Sequence, residues 1–569
     1  MLYLDKLPLA HWLKSYQKQD FISDFIAGLI ATIIMVPQGM AYALLAGVPA
    51  EYGLYCAILP SFFYAILGSS RSLSVGPAAL ISIMIASSVG TLAPANDMEY
   101  LKYAVNIAFL VGAFLLLMRL LRLGSMTNFI SLPVISGFTS ASAIIILTSQ
   151  LKHMLGISVP AGLSFGETLL VLFEQIDFIN YTTLMIGLGA CIGLWYFKNF
   201  FPRHIKILSL NPLFEQALAK AGPMFIVLIS AYIVFIAQLN DVNQVSVVGA
   251  IPEGFPTLQA WQLDVSLWRE LALQSLLIAL MCFVTSISVG TKLASKRKER
   301  INANQELLAL GMANLVAALS GTFALAASMS RSAVNHSAGA KTTLASIVCA
   351  LGVLITLLFL TPFFYFLPLA VLGAIVVMSV ASMIEIEQVK RCWRINRTDA
   401  YSLIATFFTV LIFGIEVGIS VGIIGSVMLV VYRASHPHIA VVGRVGNSEH
   451  FRNIKRHQVQ TEQGILAIRV DESIYFSNVQ CIEDFILSKT KDAAIKHIVL
   501  IFSSVSFIDT TALDAFEAMK VKLDELGINL HLAEVKGPVM DQLEQTSFIE
   551  QLKPGKIFFT TDDAFKALS

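Results

Sequence analysis

Charged residues are scarce. Asp, Glu, Lys and Arg make up 14% of the 569 residues, against about 25% in soluble globular proteins, so the chain as a whole is not a water-soluble enzyme. The shortage is uneven. Of these 77 residues, 32 follow residue 440, where they reach an ordinary share, and 45 are spread over the first 440. Composition thus separates a membrane region from a smaller tail of soluble type. An excess of either sign is also missing: 39 basic against 38 acidic residues leave a net charge of +1, which argues against nucleic acid as a partner. Cysteine is sparse and unpatterned. The six, Cys56, Cys191, Cys282, Cys349, Cys392 and Cys481, form no CxxC or other ligand spacing, so neither a disulfide framework nor a zinc site is expected. No nucleophile–base constellation is seen, so catalytic residues, metal and cofactor are all expected to be none, and the chain is not read as an enzyme.

Apolar length is what the chain has in abundance. A membrane span needs about 20 mostly apolar residues. Twelve such runs, from Ile22–Ala43 to Val417–Val431, and two less apolar segments beginning near Ser74 and Ser328 give about fourteen spans. The N-terminus lacks the charged start, short apolar run and cleavage site of a signal peptide, so none is expected; Lys6, Lys14 and Lys18 stand before the first span. Basic clusters follow even-numbered spans: Arg119 and Arg122, then Lys198, Arg203 and Lys206, then Lys292 to Arg300, then Lys390 to Arg397. The loop Leu239–Asp264 has no Lys or Arg. Positive charge marks the cytoplasmic side, so both termini and the soluble tail are expected there. The division is a cytoplasmic segment 1–20, a transmembrane domain 21–435 and a cytoplasmic linker and tail 436–569.

Two segments are anomalous. Ser72-Leu73-Ser74-Val75-Gly76-Pro77-Ala78-Ala79 reads as extended chain entering a helix at a proline. Ala326-Ala327-Ser328-Met329-Ser330-Arg331-Ser332 sets polar residues and a cation between apolar runs. One is third among the first seven spans and the other third among the second seven, the signature of an inverted repeat with a midplane site. Two half-helices then aim their N-termini at one point, where free N–H groups, the dipole and Arg331 favour an anion. Blander readings stand beside this: a Gly-Pro kink, Ser packing between helices, or an arginine reaching to the headgroups.

Pro37-Gln38-Gly39-Met40-Ala41-Tyr42-Ala43-Leu44-Leu45-Ala46-Gly47-Val48-Pro49, followed by Tyr52-Gly53-Leu54-Tyr55, resembles the signature of the sulfate permease (SulP) family. Ser74 to Pro77, Asn304-Gln305-Glu306-Leu307 with Gly311 and Asn314, and Ser328 to Asn335 with Gly339 to Thr342 match in the same order. The resemblance implies a polytopic α-helical fold of seven plus seven inverted repeats, with a core domain moving against a gate domain. It implies secondary anion transport by alternating access, with sulfate as the default substrate. Bicarbonate or dicarboxylate transport, and an anion channel or uniporter, are the alternatives. Carried onto this chain, Gln38 and Tyr42 contact the anion from the first helix, Gly76 and Ala78 line the third, and Ser328, Ser330 and Arg331 the tenth. Helix packing is the plain alternative for Gln38 and Tyr42. Many bacterial relatives carry a glutamate where this chain has the neutral Thr285, which counts against cation-coupled symport. Glu306 is a poor replacement, since capping at a helix start behind Asn302 and Asn304 explains it. A homodimer in the lipid bilayer of a bacterial inner (plasma) membrane is expected.

The tail alternates strands (Gly464–Val470, Ile498–Phe502, Ile528–Leu532) with a helix through about Leu526, a small α/β domain. It resembles a STAS domain. The stretch Asp509-Thr510-Thr511 matches the place where soluble relatives carry a phosphorylatable hydroxyl, so Thr510 and Thr511 are candidate regulatory residues with a cytoplasmic protein as partner. Capping of the following helix by Asp509 and Thr510 is the competing reading.

Overall fold

The carboxylate of Asp20 accepts the N–H of Gln17 at 3.1 Å, a start signal for 28 residues of apolar-rich helix, α1 (Lys18–Leu45). The computed structural model describes residues 16–92, 94–125, 131–160, 162–207, 220–252, 263–490 and 494–569, together with Leu13, Glu215, Leu218 and Gly254. Lys6 and Lys14 lie outside them, as does the Lys206 side chain. The described residues form two compact units, Met1–Ser426 and Val427–Ser569.

The first unit is helical. After α1 come α2 (Ala50–Leu67), strand β1 (Val75–Gly76), α3 (Ala79–Gly90), α4 (Asp97–Leu120), α5 (Leu132–Leu155), α6 (Tyr181–Asn199) and α7 (Gly222–Ala237). Then follow α8 (Val265–Arg297), α9 (Ala303–Leu319), β2 (Ala326–Ala327), α10 (Met329–Ser337), α11 (Leu344–Ile355), α12 (Leu369–Val380), α13 (Arg397–Phe413) and α14 (Ile415–Ser435), whose last residues belong to the second unit. Among the described residues, eight helical stretches are long and apolar enough to cross a bilayer alone, beside two shorter apolar helices. Side-chain caps begin many of them: Asn96 accepts from Glu99, Asp264 from Ser266 and Asn302 from Gln305. Packing falls into pairs that exchange when the first seven helices are swapped for the second seven. α1 lies on α11 and α8 on α4; α2 lies on α11 and α9 on α4; α5 lies on α13 and α12 on α6.

α3 and α10 are short. At 1.5 Å per residue, their 12 and 9 residues reach about 18 and 14 Å, roughly half of a ~30 Å hydrocarbon core. Extended chain supplies the rest, and its backbone polar groups need partners that lipid cannot give. They find them in each other. β1 and β2 pair antiparallel, Val75 with Ala327 and Gly76 with Ala326, and Ser328 N–H donates to the Ser74 carbonyl at 3.0 Å. Buried side chains finish the accounting. Ser74 N–H donates to Ser332 Oγ (2.9 Å), Ala327 N–H to Ser286 Oγ (3.1 Å), and Ser61 Oγ to the Val75 carbonyl (2.8 Å). Asn314 takes both backbone groups of Leu325, its Oδ1 from the N–H at 2.9 Å and its Nδ2 to the carbonyl at 3.1 Å.

The second unit holds a six-stranded sheet in the order β4-β3-β5-β6-β7-β8. β3 (Ile439–Arg444) pairs antiparallel with β4 (Phe451–Asn453) and with β5 (Ile465–Val470). β5, β6 (His497–Ile501), β7 (Asn529–Ala533) and β8 (Ile557–Phe558) run parallel. Helices α15 (Val479–Lys489), α16 (Thr510–Glu525), α17 (Gly537–Glu544) and α18 (Thr561–Leu568) connect or follow the parallel strands. Ile468, Leu500, Phe516 and Leu532 share its buried core. The sequence reading anticipates β5, β6, α16 and β7 but not β3 and β4, which follow a span directly and carry no turn signal of their own.

A histidine pair joins β6 to β7. The Lys556 N–H donates to Nδ1 of the buried His531 at 3.1 Å, which leaves His531 Nε2 to donate to His497 Nδ1, also 3.1 Å. Both rings must be neutral for this. Burial, then the charges of His497 and Lys556, push His531 down to about 4. The unfolded chain therefore takes a proton first, near pH 6.5. Stability is complete above that value and falls by on the order of 3 kcal/mol as the pH drops toward 4. Amide protection factors on β6 and β7 of the full chain are expected to be lower at pH 5 than at pH 7.5. A flat profile would contradict the neutral pair.

Candidate functional site

α1 and α2 cross at van der Waals contact of their backbones. A Cβ on Gly53 would stand 2.0 Å from the Gly39 carbonyl oxygen, so only glycine permits the approach. That crossing fixes the helix carrying Gln38 and Tyr42. Both are buried, and Gln38 Nε2 donates to Ser379 Oγ on α12 at 3.0 Å.

Ala78 is the N-cap of α3 and Ser328 that of α10, both with extended backbone, and neither helix has a side-chain cap. Ser328 Oγ instead meets Ser330 Oγ at 3.2 Å. Both helix starts adjoin one cavity of about 1140 Å³, whose lining includes Tyr42, Ala78, Thr285, Ser328, Ser330 and Ser379. It continues past Ser288 to Lys292 and Ser295 near the C-terminal end of α8, and α5 and α12 form its far wall. First-turn N–H groups without a capping side chain, with the positive end of the dipole, give each start a chemistry that favours negative charge.

Arg331 lies in the first turn of α10. It is 1% exposed, and its Nη2 donates to the Pro77 carbonyl at 2.7 Å, tying the two half-helices together. Gly76 adjoins it: a Cβ there would stand 3.4 Å from Nη2 and 3.0 Å from Met35 Cε. Nε and Nη1 have no partner, and no carboxylate among the described residues forms a salt bridge with it. Tyr42, Cys56 and Cys349 are its electrostatic neighbours. A desolvated cation with no counter-ion is costly unless a ligand supplies the charge.

The sequence-derived residues thus gather in two layers. Tyr42, Ala78, Ser328, Ser330 and Thr285 line the cavity, and Gln38, Gly76 and Arg331 stand behind that lining. Thr285 donates its hydroxyl proton back to the Met281 carbonyl at 2.6 Å, leaving lone pairs and no charge. Ser379 was missed; it sits near the end of an almost wholly apolar run, where nothing in the pattern marks it. Glu306 corrects the capping explanation. Its buried carboxylate does not cap its own helix but accepts from Tyr64 Oη (2.8 Å), from Ser69 N–H and Oγ (both 2.7 Å), and from Ser70 N–H (3.1 Å). Asn302 does cap, as read. Asp509 caps α16 through Ala512 N–H at 2.8 Å and also accepts from Phe476 N–H at 2.8 Å, whereas Thr510 and Thr511 stay exposed with no capping bond.

The profile of the sulfate permease family matches residues 21–406, and that of the STAS domain residues 456–564. Sulfate transporter 4.1, chloroplastic, of Arabidopsis thaliana is 32% identical over 576 residues, spanning 99% of this chain and 82% of the relative. High affinity sulfate transporter 1 of Stylosanthes hamata is 30% identical, spanning 98% and 85%. These are plant proteins, so the expected bacterial inner membrane finds no support in them. Murine solute carrier 26 family member A9, an anion transporter solved in the inward-facing state, superposes with a TM-score of 0.88 at 24% identity, covering 99% of this chain and 94% of that one. The transmembrane domain of the cyanobacterial bicarbonate transporter BicA gives 0.61 at 23% identity, covering 72% and 98%. Signature, fold and profile agree, and the chain belongs to the sulfate permease family, as a multi-pass membrane protein with a C-terminal STAS domain.

Proposed function

We propose that this chain is a secondary transporter of a small anion, sulfate by default, working by alternating access. The observation that carries the reading is the buried Arg331 guanidinium, without a carboxylate partner, beside two uncapped helix starts that adjoin one cavity. In this reading the anion sits against the first-turn N–H groups of α3 and α10, near Tyr42, Ser328 and Ser330, and Arg331 acts through its field from behind. The exchange of packing pairs supports two inverted repeats of seven segments, with α5, α6 and α12 moving as a gate against α1, α3, α8 and α10. The basic ends of the even-numbered segments support cytoplasmic termini. The lining that runs to Lys292 supports a cavity open to that side. The reading extends to a homodimer, and to a cytoplasmic protein met at the STAS domain through the exposed Thr510 and Thr511; both rest on the family.

Uptake by proteoliposomes holding the full chain tests it. Saturable sulfate counterflow, competed by bicarbonate or succinate only if those fit the site, is the expected result. A large unitary conductance without counterflow would overturn the carrier reading. Thr285 bears on coupling. A carboxylate at that cavity-lining position would face the bound anion and admit it best when neutralised by a proton. Thr285→Glu is therefore expected to turn a flat pH profile of uptake into one that rises as pH falls. Identical profiles for the two proteins would remove any coupling role from this position.

A further inference from the structure

The hydrogen bond from Gln38 to Ser379 joins two groups of helices that alternating access must separate. Gln38 is on α1, which packs with α11 and α2, and Ser379 is on α12, which packs with α5 and α6. Ser379 lines the cavity together with Tyr42. One gate-side hydroxyl thus holds Gln38 of α1 and faces the cavity that Tyr42 also lines. Among the described residues the other end of the Gln38 amide, Oε1, is buried with no hydrogen-bond partner, and the donor end makes the only side-chain hydrogen bond that holds it.

We propose that Ser379 is a latch and a selectivity residue: from the cavity lining it holds the N–H of Gln38, one layer behind, and a bound anion takes that N–H in its place. Binding then replaces the α1–α12 bond with a bond to the anion, and loss of that bond frees the gate to move. This rests on the transport reading above and adds the coupling step to it. An oxyanion accepts from Gln38 Nε2 more strongly than a neutral hydroxyl does, because hydrogen bonds to an ionised acceptor are about twice as strong. The exchange is downhill only for a charged ligand, so neutral solutes of similar size leave the latch closed.

The sign of one affinity change separates the possibilities. Sulfate binding by the full chain in lipid nanodiscs is measured by calorimetry for the wild type, Ser379→Ala and Ser379→Thr. With the competitor removed, Ser379→Ala is expected to bind sulfate about fivefold tighter, the worth of one neutral hydrogen bond. Ser379→Thr keeps the hydroxyl and should match the wild type. In a Gln38→Ala background the effect of Ser379→Ala should vanish. Weaker binding by Ser379→Ala would make the serine a plain ligand, unchanged binding would make it a packing contact, and either result overturns the latch. If the wild type shows no saturable binding of sulfate, bicarbonate, chloride or succinate, the transport reading falls, and this inference with it.

Discussion

Arg331→Gln is expected to lower anion uptake roughly a hundredfold while the protein still folds and inserts. Charge-assisted hydrogen bonds contribute about 1.5–3 kcal/mol each, and the variant loses both the field on the bound anion and the Nη2 bond to Pro77. Folding should survive because the substitution also removes a desolvated cation with two unpartnered nitrogens, a group that costs stability when no anion is present. Arg331→Lys separates the two contributions. It keeps the charge but not the planar reach from α10 to β1, so affinity should fall less than turnover. Uptake kinetics on monodisperse protein read both quantities. Wild-type uptake by Arg331→Gln would remove the guanidinium from the account.

Glu306→Ala should cost about 3 kcal/mol or more of stability. Four donors converge on this carboxylate, two of them backbone N–H groups, and Tyr64 is itself wholly buried. Truncation removes the acceptor of all four, and for the buried Tyr64 hydroxyl and Ser70 N–H each such loss costs about 1–3 kcal/mol. The expected readout is loss of monodisperse protein at a clearly lower temperature, with Glu306→Gln in between because its amide keeps one acceptor. A melting curve that overlays the wild type would contradict the anchor. Glu306 holds the loop that leads into β1 and α3. Asp24 does the same for the loop after α10, accepting from Lys341 N–H (2.6 Å), Thr342 N–H (3.0 Å) and Thr342 Oγ1 (2.5 Å). Two buried carboxylates thus pin the two half-helices from outside the site.

Much of the site was legible in the sequence because local chemistry announces it. Gly76-Pro77 and the Ser328-to-Ser332 cluster interrupt apolar runs, and Arg331 is conspicuous among them. The partners were not legible, since they are set by tertiary contact across long stretches of chain. Nothing near Ser74 shows that its N–H meets Ser332, nor does anything near Glu306 point to Ser69. The orientation of Arg331, toward Pro77 and not along the cavity lining, depends on the β1–β2 pairing. Ser379 stayed hidden because one serine in an apolar helix most often bonds its own backbone, and only the crossing of α1 over α12 gives it another use. In the tail, alternation of strand and helix revealed β5, β6 and β7, whereas the two-residue β8 and the antiparallel β3–β4 ribbon, which follows α14 directly, gave no separate pattern.

Anomalous diffraction from the full chain soaked with selenate, which has the shape and charge of sulfate, tests the central claim most directly. The account predicts a single strong peak in the cavity, within hydrogen-bond reach of the first-turn N–H groups of both α3 and α10 and close to Tyr42 and Ser330. A peak only among the basic residues at the end of α8, with the space between the two helix starts vacant, would contradict it.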